Sequence, residues 1–239
     1  MSGGFFGQSS FATYALAKER NTVKLLPGVP LETAGILGCD VQTGAGAILR
    51  SMDCKPGSSL LVIGGGPVGL SAVMAAKVRG LSRILLSERL PARRGIATEL
   101  GATDFLDPAG GDLADAVLTL LPNGVDYVLD TTGVPAVIEQ IPRLIARLGT
   151  FGFVGIPPAG HGAMGLPFGL MDAMRRGLTL RGIIEGDSNL DPFIESLMQL
   201  HLEGRFPFDK MARNFPMAQI NEAIAAQHRG DCVKVVLLP

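Results

Sequence analysis

The chain has 239 residues, of which 47% are hydrophobic and 18% charged, and its formal net charge is −1. A chain of this length can bury a full hydrophobic core. The near-neutral charge argues against nucleic-acid partners, which are bound through clusters of basic residues. Because no apolar stretch reaches the roughly 20 residues that span a bilayer, we expect no membrane partner.

The three cysteines, Cys39, Cys54 and Cys232, form no Cys-x-x-Cys pair. An odd number of scattered cysteines is typical of a reducing compartment. The first residues lack the basic start and apolar run of a signal peptide. These features predict a cytoplasmic protein.

The first fifty residues show two patterns. Residues 9–26 alternate apolar and polar positions around a turn at Lys18–Asn21, which predicts strand segments. Residues 31–50 carry apolar positions at helical spacing, beginning with Ala34, Leu37 and Val41. We therefore expect a strand-rich start followed by a helix.

From Ser58 onward, short apolar strands alternate with helices. Strands are predicted at 60–63, 83–87, 104–106, 125–129, 150–154 and 178–184, and helices at 68–78, 91–100, 112–121 and 135–148. A loop rich in Gly and Pro precedes the last of these strands. This alternation predicts an α/β fold with a doubly wound, six-stranded parallel Rossmann sheet.

The tail after Asn189 changes pattern again. It contains predicted helices at 192–203 and 217–228 and a terminal strand at 232–237. We interpret residues 41–183 as a dinucleotide-binding domain. Residues 1–40 and 184–239 are then remnants of a second module at both ends.

A glycine fingerprint follows the first strand of this domain. Gly64, Gly66 and Gly69 fit the Gly-x-Gly-x-x-Gly spacing. The first glycine permits a tight turn, the second lets a pyrophosphate approach the backbone, and the third lets the helix pack on the sheet. The N-terminus of the following helix, which begins with Pro67 and Val68, then offers free N–H groups from Val68 onward to the phosphates.

Glu88 ends the second strand, where a ribose-binding carboxylate belongs. A carboxylate there accepts hydrogen bonds from the ribose hydroxyls and repels a 2′-phosphate, so NAD is favoured over NADP. Arg89, Arg93 and Arg94 keep NADP open, because guanidinium groups attract that phosphate. The alternative is that Glu88 is an exposed acidic residue without a ligand.

Further motifs, together with the glycine fingerprint, carry a family resemblance almost from end to end. They are Phe5-Phe-Gly-Gln-Ser-Ser-Phe-Ala-Thr-Tyr-Ala, Gly38-Cys-Asp-Val-Gln-Thr-Gly-Ala-Gly-Ala, Gly101-Ala-Thr-Asp, Asp130-Thr-Thr-Gly, Val154-Gly-Ile-Pro-Pro and Gly182-Ile-Ile-Glu-Gly-Asp-Ser. The chain resembles the zinc-dependent medium-chain alcohol dehydrogenases, and among them the aryl-alcohol (benzyl alcohol) dehydrogenase group. The flanking remnants would then belong to their GroES-like catalytic domain.

The resemblance implies an NAD-dependent oxidoreductase that moves hydride between an aromatic primary alcohol, or its aldehyde, and NAD. Zinc would polarise the alcohol oxygen. The resemblance also implies a homodimer or higher homo-oligomer that pairs through the sixth strand.

The resemblance assigns roles to single residues. Cys39 matches a ligand of the catalytic zinc. The cofactor contacts, including the fingerprint, are Thr43, Gly64, Gly66, Pro67, Val68, Gly69, Glu88, Arg89, Arg93, Thr131, Thr132, Val154, Gly155, Ile156, Ile183 and Lys234. Among these, Lys234 would reach the pyrophosphate, and Thr43 and Val68 would press on the nicotinamide. The substrate pocket would contain Phe5, Phe6, Ile156 and Ile184.

The zinc site departs from the family. A catalytic site needs three protein ligands, yet His161, His201 and His228 all follow the fingerprint. Asp40 occupies a position where the family has a small residue. We therefore expect zinc only if missing ligands are supplied from elsewhere. The alternative to a zinc role for Cys39 is that of a small buried residue at a helix packing point. Glu185 is either a site residue or a spacer.

Three functions stay open. The first is an aryl-alcohol dehydrogenase that is incomplete as this chain. The second is an NAD(H)-binding module without alcohol dehydrogenase activity, such as a sensor or inactive paralogue. The third is a zinc-free NAD(P)H-dependent reductase, which Cys39 and its neighbours disfavour.

Overall fold

The computed structural model describes residues 10, 12, 14–161 and 165–239. Its centre is a six-stranded parallel sheet with the strand order β3-β2-β1-β4-β5-β6. The strands are β1 (Ser59–Ile63), β2 (Arg83–Ser87), β3 (Asp104–Leu106), β4 (Val125–Asp130), β5 (Ile145–Phe153) and β6 (Thr179–Gly182). The order reverses between β1 and β4, so the loops after these strands form a crevice at the carboxyl edge. The predicted doubly wound fold is confirmed.

Helices surround this sheet and continue into the tail. They are α1 (Leu31–Ala34), α2 (Gln42–Gly46), α3 (Pro67–Arg79), α4 (Arg94–Leu100), α5 (Leu113–Leu120), α6 (Pro135–Ile138), α7 (Ile141–Leu144), α8 (Leu170–Arg176), α9 (Leu190–Leu202) and α10 (Ile220–Arg229). Two π-helical turns, Leu37–Val41 and Ala47–Ser51, flank α2 and make residues 37–51 one helical segment. Within the described ranges, no helix is long and apolar enough to cross a bilayer.

Alternation along β1 divides the core into two layers. All five residues of β1 are buried, and successive side chains of a strand point to opposite faces. Leu60 and Val62 belong to a cluster with helices α2, α3 and α9. Leu61 and Ile63 belong to a second cluster with α5 and α7. Burying each such side chain contributes roughly 1.5–3 kcal/mol, so both layers fix the sheet edge that carries the crevice.

The predicted strand segments at 9–26 are wrong for the residues described there. The turn is present as a 3₁₀ helix at Glu19–Asn21, where the Asn21 side chain accepts a hydrogen bond from the Lys18 N–H at 3.0 Å. The described residues of this range have no strand beside them. Alternation alone cannot form a strand, because a strand needs a hydrogen-bonded neighbour.

The predicted helix at 135–148 is also wrong beyond Leu144. Ile145 begins β5, where it pairs with Val125. Leu148 has a φ of +61°, which a right-handed helix cannot contain.

Two elements went unpredicted. Helix α8 lies in the expected loop and has no buried residue to set a helical apolar pattern. Strand β7 (Ala212–Pro216) pairs in parallel with β8 (Lys234–Leu238) in a separate two-stranded sheet. Arg213 and Asn214 are two consecutive polar residues in β7, so the sequence there lacks the apolar pattern that predicts a strand.

Leu148 gives a test of the backbone strain in β5. Its side chain is 79% exposed although its backbone is left-handed. This conformation costs a non-glycine residue roughly 1–2 kcal/mol, and the greater unfolded-state freedom of glycine returns roughly 0.4–1 kcal/mol of that. We expect Leu148→Gly to resist urea unfolding better than Leu148→Ala by roughly 0.5–1 kcal/mol. An alanine variant of equal or greater stability would contradict the left-handed turn.

Candidate functional site

The turn from β1 into α3 is fixed by two glycines. Gly64 has a φ of +97°, and a Cβ on it would lie 2.5 Å from the Thr131 hydroxyl oxygen. A Cβ on Gly69 would lie 1.8 Å from the carbonyl oxygen of Gly64. Since both contacts are shorter than any real Cβ contact, the turn keeps this shape only with glycine at both positions.

Gly66 differs from these two glycines. Apart from Gly66 and its two chain neighbours, no atom of the described residues lies within 4 Å of the position that its Cβ would occupy. Gly66 is also the N-cap of α3 and is followed by Pro67. The first N–H groups of a helix have no partner within it and attract anions. Open space above bare backbone at a helix start therefore fits the pyrophosphate of a dinucleotide.

Glu88 forms one wall of the crevice. Its carboxylate accepts hydrogen bonds from the N–H of Gly65 at 2.8 Å, Nη1 of Arg93 at 3.0 Å and the N–H of Leu90 at 2.8 Å. Because Glu88 is only 6% exposed, the part of the alternative that made it an exposed residue is wrong. Oε2 takes two of these bonds, so Oε1 keeps capacity for a ribose hydroxyl. Arg89 is exposed to solvent.

Asp130, the last residue of β4, shapes the opposite wall. It is fully buried, and its carboxylate accepts hydrogen bonds from the N–H and hydroxyl of Thr132 and from the N–H of Gly133, at 2.7–3.0 Å. The Thr131 hydroxyl donates to the carbonyl of Ile63 at 2.8 Å. Both threonine hydroxyls therefore shape the loop. Sequence reasoning missed Asp130 as a site residue, although Asp-x-x-Gly is typical of an aspartate-stabilised turn.

The loop after β5 joins the same wall. The N–H groups of Val154 and Gly155 donate to the Asp130 carbonyl at 3.0 and 3.1 Å. Ile156, three residues beyond the end of β5, is 88% exposed, and Ile184 beyond β6 is 70% exposed. Ile183 is buried. The structure thus brings the predicted residues after β1, β4 and β5 together, while Phe5 and Phe6 lie outside the described residues.

The helical segment 37–51 packs closely on both sides. A Cβ on Gly44 would lie 2.0 Å from the carbonyl oxygen of Val68 at the start of α3. A Cβ on Gly46 would lie 2.6 Å from the Cα of Gly186. Gly186 lies between Glu185 and Asp187, and all three have a positive φ. This contact therefore joins the segment to a strained left-handed turn.

Cys39 lies on this segment beside a cavity of about 640 Å³ that Gln42 and Glu185 also line. Because Cys39 is exposed, its alternative role as a buried packing residue is wrong. Although Cys39 reaches the surface, partial burial of its thiol is the main cause that raises the thiol's pKa; the charges of Glu185 and Asp40 raise it further, and Lys234 lowers it. Burial also raises the pKa of the Glu185 carboxyl, while a hydrogen bond from the Thr43 hydroxyl lowers it.

The described residues do not build a zinc centre. No group of three His, Cys, Asp or Glu side chains that could hold a metal comes together among them. Residues 1–9, 11, 13 and 162–164 contain none of these residue types. Since a catalytic zinc needs three protein ligands, the described residues do not complete a ligand set around Cys39.

Lys234 lies near Cys39 but contacts Asp40. Its Nζ is 2.6 Å from Oδ2 of Asp40, and the two side chains are 32% and 16% exposed. The lysine expected at the pyrophosphate thus pairs with a carboxylate of the protein in this structure.

The sequence model of the zinc-binding dehydrogenases matches residues 67–200 of this chain. The chain belongs to that family. The chain is 44% identical to the geraniol dehydrogenase of Castellaniella defragrans, over 98% of its own length and 62% of that relative. Its structure matches benzyl alcohol dehydrogenase from Acinetobacter calcoaceticus with a TM-score of 0.92 and 38% identity, over 98% of this chain and 64% of that one.

A more distant member of the family comes from Sinorhizobium meliloti 1021, and its structure is bound to NADP. It shares 28% identity and a TM-score of 0.70, over 88% of this chain and 61% of that one. The resemblance to alcohol dehydrogenases of the aryl-alcohol group is confirmed. The chain spans about 62% of the length of the geraniol dehydrogenase.

Gly66 and Gly69 form a matched pair for testing the turn. Gly66→Ala places a methyl group in open space, so we expect a loss of about 1 kcal/mol or less in the free energy of unfolding, the cost of alanine at an N-cap. NADH affinity should fall roughly tenfold or more, or about 1.4 kcal/mol. Gly69→Ala forces its Cβ against the Gly64 carbonyl and should cost roughly 1–3 kcal/mol of stability.

Urea unfolding and NADH fluorescence titration measure both effects. Unchanged NADH affinity in Gly66→Ala would contradict a pyrophosphate at this point.

Proposed function

We propose that this chain is the cofactor-binding part of an NAD-dependent alcohol dehydrogenase. The observation that carries the proposal is the open space above Gly66, in a turn whose other two fingerprint glycines are fixed by contacts. Family membership supports it. The bound dinucleotide supplies the hydride acceptor, and the protein supplies binding and orientation.

Each part of the dinucleotide has a proposed place. The pyrophosphate would lie over Gly66 and the start of α3, and a ribose hydroxyl would donate to Oε1 of Glu88. The nicotinamide would lie between the side chains of Thr43 and Val68 and the loop that begins at Val154. The left-handed φ of Gly64 supports this arrangement because it allows the tight turn that starts α3 directly after β1.

We propose that the chain binds NAD in preference to NADP, because the negative charge of Glu88 repels the 2′-phosphate of NADP. A 2′-phosphate would approach a buried carboxylate, which costs several times more than approaching an exposed one because water screens it less. Arg93 offsets part of that cost through its ion pair with Glu88 at 3.0 Å. The relative bound to NADP supports a nicotinamide cofactor in general.

The proposed substrate is an aromatic or similarly apolar primary alcohol, or its aldehyde. The exposed side chains of Ile156 and Ile184 give apolar surface at the carboxyl edge. The relatives named for geraniol and benzyl alcohol support this class.

The single zinc ligand sets the expected activity of the chain alone. An alcohol must lose a proton before or as it passes hydride. The described residues do not bring together the ligands for a metal that would lower the pKa of the alcohol. We therefore propose that this chain by itself binds the cofactor and oxidises alcohol slowly or not at all. The same observation favours the alternative of an NAD(H)-binding module.

A titration of the purified chain tests this function. NADH fluorescence should saturate at micromolar to submillimolar concentration, and NADPH should bind more weakly because of Glu88. Benzyl alcohol with NAD⁺ and added Zn²⁺ should give little or no increase in absorbance from NADH. Failure of NADH to bind at millimolar concentration would overturn the proposal, and rapid turnover would overturn the statement about the chain alone.

We further propose a homodimer paired through β6. This strand is at the edge of the sheet, where unpaired N–H and C=O groups can accept another strand. Helix α8 directly precedes it and exposes apolar side chains, with Leu170 at 86% and Met174 at 64%. An exposed apolar surface beside an open strand edge is typical of an interface.

Introducing positive charge on this apolar surface tests the dimer. We expect the double variant Leu170→Lys/Met174→Lys to be monomeric by size exclusion with light scattering, because two ammonium groups would have to be desolvated at the interface. Ile224→Lys, at a residue that is 48% exposed on α10, is the control and should stay dimeric. A monomeric unmodified chain, or a dimeric double variant, would refute this arrangement.

A further inference from the structure

The ion pair between Asp40 and Lys234 joins two distant parts of the chain. Asp40 lies in the π-helical turn Leu37–Val41, and Lys234 begins β8 in the tail. The atoms Oδ2 and Nζ are 2.6 Å apart, and both side chains are less than one-third exposed. The pair is therefore only partly screened by water, and its two groups attract each other more strongly than a surface pair does.

This pair lies close to the proposed pyrophosphate position. Gly44 packs directly on the carbonyl of Val68, the second residue of α3. Asp40 precedes Gly44 by four residues, which is about one helical turn, or roughly 5–6 Å along the segment. On the tail side, Gly230, four residues before Lys234, lies against the side chain of Leu90, whose backbone N–H donates to Glu88 in the crevice wall.

The charges around Lys234 oppose a diphosphate. Asp40 and Glu185 both act on Cys39 as nearby negative charges, and Lys234 acts on it as the positive one. A diphosphate adds two negative charges to a neighbourhood that already has more acidic than basic groups. The ammonium of Lys234 lies on a flexible four-carbon stem and can turn from one anion to another.

We propose that Asp40 competes with the pyrophosphate of the dinucleotide for Lys234 and thereby sets cofactor affinity. The proposal rests on the function proposed above. When the cofactor binds, Lys234 exchanges the Asp40 carboxylate for a phosphate oxygen, and Asp40 loses its counter-ion beside a new negative charge. Both changes weaken binding and speed release of NADH. Asp40 is in this sense an affinity-determining residue that touches the cofactor only through Lys234.

Asp40→Asn isolates this effect because it removes the charge and keeps the shape. We expect the Kd for NADH to fall roughly threefold to tenfold and the dissociation rate measured by stopped-flow fluorescence to fall by a similar factor. In the Lys234→Met background, which has no cation to compete for, the same substitution should change the Kd by less than about twofold at 0.15 M salt, because the remaining repulsion is screened.

Two controls make the result decisive. Asp53→Asn changes an exposed carboxylate that pairs with Lys55 and Arg79, and it should leave the Kd unchanged. Asp40→Gly is the second variant if the asparagine variant unfolds. Equal Kd values for the unmodified chain and both Asp40 variants would overturn the competition while leaving NADH binding intact. Absence of NADH binding to the unmodified chain would overturn the proposed function as well.

Discussion

The contact between the Gly64 carbonyl and the Cα of Gly69 governs how this protein is organised. It lets the backbone reverse direction within a few residues, so that α3 starts directly at the carboxyl edge of β1. The same reversal places the Gly65 N–H on Glu88 and leaves Thr131 against Gly64. Three neighbouring strands therefore meet at one turn, and a single added methyl group would disturb all of them.

The sheet could be predicted because its signals are local. β1 is apolar throughout, and glycine and proline mark its ends, so period and composition agree with the fold. The start of the chain could not be predicted in the same way. Its alternation of apolar and polar residues is real, but whether an alternating segment forms a strand depends on a neighbour that the segment itself does not specify.

Some residues of the candidate site could likewise be predicted from a local pattern, and others could not. Gly64, Gly66 and Gly69 were recognisable because their spacing has a mechanical cause. The burial of Glu88 and its ion pair with Arg93 could not be read from the sequence, since two nearby opposite charges are more often solvated. The pairing of Asp40 with Lys234 joins residues 194 positions apart, and no local pattern records such a contact. Family resemblance supplied an expected role for Lys234 but not its partner.

Gly46 and Gly186 have a mechanical consequence. Their backbones touch without any side chain between them, so there is no rotamer that could absorb a relative displacement. The segment that carries Cys39 and the turn that carries Glu185 must therefore move as one body. A domain rotation in this protein would have to hinge outside that contact, and the backbones that carry Cys39 and Glu185 would keep their separation throughout the motion.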